Sequence, residues 1–264
     1  MDEMLRSIFT KTLYDQRRSL VWWALALVWV VLVYAGGYRQ YVEAGLVTNK
    51  VPEFVGAIMG STDFSSAAGY LTAVIFTLLG PVIVVLFATF TGARAIAGDE
   101  EAGMLDILLA SPMSRTRVVL ERTGALVAAV AWLGLIVWVA VSAAAAFSDM
   151  GLGLDRIAAA AVGLALLGII FGMVTLATGA LTGSRPLALG VTAAAALGSF
   201  LVNNLAPQVE SLEQAQKLSP FYYYLGGDPL RSGFDLPKLG VLVLIVVALV
   251  ALAIWGLGRR DVAV

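Results

Sequence analysis

Side chains able to do chemistry are few here and fall in short groups. Asp99, Glu100 and Glu101 form an acidic triplet, and Arg115, Arg117 and Arg122 follow within one polar stretch, GDEEAGMLDILLASPMSRTRVVLERTGAL from Gly98. Carboxylates so placed suit a helix N-terminus, where aligned peptide dipoles favour negative charge. Asn203 and Asn204 end an apolar run, where they either contact a polar solute or cap a helix. Tyr222 and Tyr223 lie within an aromatic run from Phe221 to Tyr224. The usual catalytic sets are missing. With no His and no Cys in 264 residues, the chain cannot build a thiolate zinc site, a histidine-ligated haem, a Ser-His dyad or a disulfide. No Gly is followed by Lys, so the phosphate-cradling G-x-x-x-x-G-K-[ST] loop is absent. Neither catalysis nor a self-supplied nucleotide motor is expected.

The elements that carry these residues are set by lipid. The chain is 60% apolar and only 13% charged, too little polar surface to coat a soluble globule. A crossing helix needs about 20 mostly apolar residues. Six stretches qualify, at residues 20–37, 69–91, 124–147, 157–181, 187–205 and 239–257, and none contains Asp, Glu, Lys or Arg. The fold class expected is therefore an all-α integral membrane protein with a single six-span domain over residues 1–264. The first run is longer than a secretory h-region and has no convincing cleavage site, so it reads as a retained anchor.

Six crossings put both termini on one side. The tails and the second and fourth connections hold eleven Lys and Arg, against six on the opposite set of loops. Both ends are therefore expected in the cytoplasm of a multi-pass cell-membrane protein, with residues 206–238 forming an extracellular loop. Before the first span, Leu5, Ile8, Phe9, Thr12 and Leu13 recur at helical spacing. Residues 1–18 thus read as an amphipathic helix lying on membrane lipid.

The stretch from Asp99 to Pro112 fits a short helix, with the acidic start at one end and Ser111-Pro112 as a stop. Met104, Leu105, Ile107, Leu108 and Leu109 cover one arc, and Asp106 falls outside it. Two readings fit: a lever docked into a cytoplasmic subunit, or a helix resting on the inner leaflet. The acidic triplet weighs against an anionic lipid surface. Pro81, after Gly80, is expected to kink span two, as a hinge for a moving helix or as a static bend. Gly168 and Gly172 in span four, and Gly190, Ala194 and Gly198 in span five, form small-residue ridges that suit packing within the chain or a subunit interface. The aromatic run in the outer loop reads either as an interfacial belt or as a lid over an exit.

The spans lack the mid-membrane charges of ion-coupled pumps, and no filter sequence interrupts them. Uphill movement would need energy from a partner. Here the residues resemble the membrane-spanning permease subunits of bacterial type-2 ATP-binding-cassette exporters. Asp99 and Glu101 match that family's acidic pair, with Gly103, then Leu105 and Asp106, then Leu108 and Leu109, and Pro112, Ser114 and Arg115 at the close. Glu100 lies within the same pattern, and Met104 stands where threonine is usual. VPEF at Val51, GYL at Gly69 and LSPFYYYLGGDPL from Leu218 extend the likeness over nearly the whole chain.

The resemblance implies that 99–112 is a coupling helix on a separate ATPase subunit and that 1–18 is the elbow helix. It also implies a second permease subunit, identical or related, around a central path. This chain would bind no cofactor itself, with ATP and Mg held by the ATPase, and no nucleic-acid partner is implied. Asn203, Asn204, Tyr222 and Tyr223 are the candidate path residues, and Pro81 the hinge. A membrane scaffold that recruits a cytoplasmic protein through the inner helix is the alternative from another class, and a passive facilitator is a third.

Overall fold

The computed structural model describes residues 7–45, 63–64, 66–101, 114–208 and 210–260. Among them all regular structure is helical. Six helical stretches are long and apolar enough to cross a membrane: Ile8–Glu43, Ala67–Gly98, Arg115–Phe147, Leu154–Thr182, Arg185–Gln208 and Leu236–Arg259. They are spans one to six.

Short polar side chains start every span but the fourth, which follows Gly153, and also the connecting helix Pro220–Leu225. Ser7, Ser66, Ser114, Ser184 and Ser219 each accept a hydrogen bond from a backbone N–H of the first turn, and Asp235 does the same for span six. Each such cap satisfies an otherwise orphaned donor and contributes about 1 kcal/mol. Pro186, Pro220 and Pro237 occupy the first turns, where no N–H is missed.

Three boundaries differ from expectation. Residues 8–18, expected in a separate surface helix, run without a break into span one as the helix Ile8–Tyr34; no Gly or Pro interrupts them. Span three starts at Arg115 rather than near Gly124, because Ser114 caps it and polar helix continues beyond the apolar run. Span two is not one kinked α-helix. It is α-helical over Ala67–Leu71, π-helical over Thr72–Leu79, α-helical over Gly80–Ala93 and π-helical again over Arg94–Gly98.

Span four is the hub, and spans two, three, five and six pack around it. Missing side chains allow the closest approach. A Cβ at Gly168 would lie 2.5 Å from Val84 Cγ1, and one at Gly172 would lie 2.9 Å from Leu126 Cδ2. A Cβ at Gly92 would collide with the Gly172 carbonyl oxygen. The span-four ridge is thus consumed by packing within the chain, whereas Gly190 and Gly198 of span five face open space. Span one packs along span three. Contacts between Ser7 and Glu121, and between Arg115 and the carbonyls of Leu257 and Arg260, bring the start of span one and the end of span six to the same end of the bundle.

Candidate functional site

At that end, both flanks of the connection between spans two and three are fastened to the last residues of span six. On one flank, the Glu100 carboxylate pairs with the Arg260 guanidinium, with only 20% and 23% of the two side chains exposed. Arg260 also crosses the C-terminal end of span four, where Nη1 donates to the Gly179 carbonyl at 3.5 Å. A cation there complements the negative end of the helix dipole. Gly183 makes the crossing possible: its φ of +67° ends span four in the left-handed region, and a Cβ there would collide with the guanidinium. On the other flank, Arg115 Nη1 donates to the carbonyls of Leu257 at 3.0 Å and Arg260 at 2.5 Å, closing the end of span six.

Span five joins the same group. Glu101 Oε1 accepts from the Arg185 backbone N–H at 3.2 Å, placing a carboxylate at the positive end of that helix. Glu100 Oε2 is buried and has no hydrogen-bond partner among the described residues. Of the other residues expected to act here, Asp99 opens the short turn Asp99–Glu101 and Ser114 caps span three. Gly103, Leu105, Asp106, Leu108, Leu109 and Pro112 lie outside the described residues.

Spans one and three are tied separately. Glu121 Oε2 accepts from Ser7 Oγ at 3.1 Å and from the Phe9 N–H at 3.3 Å, so a residue of span three caps span one. Arg117 Nε holds the other carboxylate oxygen at 2.8 Å, and Arg122 Nη1 donates to Thr12 Oγ1 at 2.7 Å.

The far end holds the remaining candidates. Asn203 and Asn204 are buried at the end of span five, bonded to each other at 3.1 Å, and the Asn203 carbonyl accepts from Gln216. Asn203 Oδ1 and Asn204 Nδ2 have no partner among the described residues. The aromatic run divides by its helical period. Phe221 and Tyr224 point into the bundle, while Tyr222 and Tyr223 stay half-buried and stack edge-on at 5.2 Å. Phe221 meets Phe171 at 5.9 Å and Phe200 at 5.5 Å between ring centroids. Phe221→Ala is therefore expected to destabilise the protein by about 3 kcal/mol through the cavity left behind, read as a lower unfolding midpoint in detergent. A belt residue facing lipid would show almost no change. Tyr224 Oη donates to the Phe76 carbonyl at 2.9 Å, and burial pushes its phenol well above the ordinary tyrosine value, so the group is a neutral donor.

Residues 5–257 match the family model described as Multidrug efflux system permease Rv1217c, C-terminal domain. The chain belongs to this permease family. No curated protein matches it.

Family membership and the six apolar helices make this a multi-pass transmembrane permease. An apolar recess of about 490 Å³ lies between spans three and four of the permease, lined by Gly134, Trp138, Ala161, Val162 and Ala165 among others. None of the residues singled out from the sequence lines it. Among the described residues no three acidic side chains come together as a metal site would require. Sequence reasoning missed Glu121, Arg260 and Tyr224 as structural partners. The i,i+4 spacing of Arg117 and Glu121 was a legible signal. Arg260 enters the sequence reading only within the count of positive charges, and its partners Gly179 and Glu100 lie 81 and 160 residues away.

Proposed function

We propose that this permease is the membrane subunit of an ATP-driven exporter, worked by a separate ATPase that docks on the connection between Asp99 and Arg115. The observation that carries the reading is the fastening of that connection. Glu100 reaches the ends of spans four and six through Arg260, Glu101 reaches the start of span five, and Arg115 grips the end of span six. A push delivered between these points moves spans two to six together, whereas a helix merely resting on lipid needs no such bracing. The sequence supplies no phosphate-binding loop, so ATP and Mg belong to the ATPase in this reading.

The charge count supports a cytoplasmic position for both termini and the docking connection. The apolar runs within the spans, free of Asp, Glu, Lys and Arg, and a family described by multidrug efflux favour apolar or amphipathic organic cargo. The open small-residue face of span five and the half-buried Tyr222 and Tyr223 belong to a path completed by a second permease subunit. Purification from the native membrane is expected to bring an ATPase with the chain. Reconstituted vesicles should then accumulate a lipophilic dye only when that ATPase, Mg and ATP are all present. Equal flux from the isolated chain without nucleotide would point instead to a passive facilitator.

A further inference from the structure

The upper part of span two is wound in a wide register that its own sequence interrupts. Thr72–Leu79 is π-helical, and at its close the Gly80 N–H donates five residues back, to the Ile75 carbonyl. The next bond of that ladder would run from residue 81 to the Phe76 carbonyl. Residue 81 is proline and has no N–H. A buried carbonyl in the low-dielectric interior of a membrane protein is costly to leave unpaired. At this carbonyl the Tyr224 hydroxyl arrives, 148 residues distant in sequence, at 2.9 Å. Gly163 gives it room, since a Cβ there would lie 2.8 Å from Tyr224 Cδ2.

The wide register has its own cost. Thr12, Thr175, Thr178, Thr182 and Thr192, all on α-helical turns, donate their hydroxyls to the carbonyl four residues back. Thr77, inside the π-helical segment, is buried with its hydroxyl unpartnered among the described residues, as is Thr123 on span three. An α-helical register would return Thr77 to the Ala73 carbonyl and give Phe76 the Gly80 N–H, while orphaning the Thr77 carbonyl at Pro81 and leaving the buried Tyr224 hydroxyl without its acceptor. Each register therefore satisfies groups that the other strands. The outer loop holds the segment at its start as well, because Arg231 pairs with Asp63 and reaches Ser66 Oγ at 3.0 Å beside the cap of span two.

We propose that Tyr224 is a positioning residue for transport: its hydroxyl stands in for the N–H that Pro81 lacks and holds Thr72–Leu79 in the wide register. When Tyr224 withdraws, the segment rewinds to α-helix. One step of the ladder turns the outer end of span two by on the order of 100° relative to Gly80–Ala93. The transport role rests on the permease reading, while the hydrogen-bond exchange stands apart from it.

A double-mutant cycle on the full chain in lipid nanodiscs tests the exchange. Tyr224→Phe is expected to raise the unfolding constant about tenfold in the otherwise natural chain. In the Pro81→Ala background, where residue 81 has an N–H to give Phe76, it should raise it less than about twofold. The same factor in both backgrounds overturns the proposal. Should Tyr224→Phe alone fail to fold, adding Pro81→Ala restores folded protein; no restoration is likewise an overturning result. Dye flux with the ATPase should fall with Tyr224→Phe and recover with Pro81→Ala. Flux missing from the unsubstituted chain under those conditions would count against the permease reading, and the stability cycle would still decide the register.

Discussion

Gly92→Val is expected to leave almost no folded permease. Gly92 faces Gly172 where spans two and four cross, and the first carbon of any side chain there would collide with the Gly172 carbonyl oxygen. The obstruction is backbone, so no rotamer change relieves it, and the helices must separate along their whole contact. Separation would open the packing of Val84 and Ala88 against Gly168 and Gly172 as well. In lipid, helix association depends on such close packing rather than on escape from water. The expected cost exceeds about 3 kcal/mol, the upper end for overpacked cores. Gly198→Val makes the contrast, because nothing lies within 4 Å of that position in the single chain; its cost to the isolated chain is expected within about 0.5 kcal/mol. Unfolding midpoints in detergent read both, and equal midpoints would show that spans two and four do not cross at these glycines.

Glu100→Lys is expected to uncouple the permease while leaving its six spans inserted. The substitution sets a second cation against Arg260 in a pocket where both native side chains are mostly hidden from solvent. Breaking such a pair leaves an uncompensated charge and costs about 3 kcal/mol locally. The strain falls on the ends of spans four and six, which Arg260 joins. Nucleotide-driven flux should drop at least tenfold, with normal membrane levels. Exchanging the charges, Glu100→Arg with Arg260→Glu, should recover only part of the flux. The new carboxylate would sit at the carbonyl end of span four, where the helix dipole disfavours it. Full flux in Glu100→Lys would mean that this ion pair carries no motion. A loss that the exchange does not relieve at all would assign Glu100 to the ATPase surface instead of to Arg260.

The acidic triplet shows how far sequence reading reaches. Its place at the termini end of the bundle was legible from the charge count, whereas the helix it was expected to start lies outside the described residues, and Asp99–Glu101 closes the helical run of span two. Its use was not legible. The sequence offered Glu100 and Glu101 to a partner protein, but the fold gives Glu100 to Arg260 and one oxygen of Glu101 to the Arg185 N–H. The aromatic run behaves similarly. Its composition fitted a belt or a lid, yet helical period sends Phe221 and Tyr224 inward and leaves Tyr222 and Tyr223 nearer the surface. Pro81 marked a disturbance in span two correctly, though as a kink; the structure resolves it into a change of helix type.

Amino-acid order alone determined the six spans and the gathering of positive charge toward one end, and it holds the serine caps in purely local contacts. Those features follow from sums over neighbouring residues: the transfer of a segment into hydrocarbon, or a hydroxyl meeting an N–H two or three places on. Tertiary structure decided which carboxylate meets which guanidinium, which glycine admits a neighbouring backbone, and which carbonyl Tyr224 completes. The Tyr224–Phe76 and Arg260–Glu100 pairings join residues 148 and 160 positions apart. They depend on helix rotation and crossing within a packed bundle, and local hydropathy is indifferent to both.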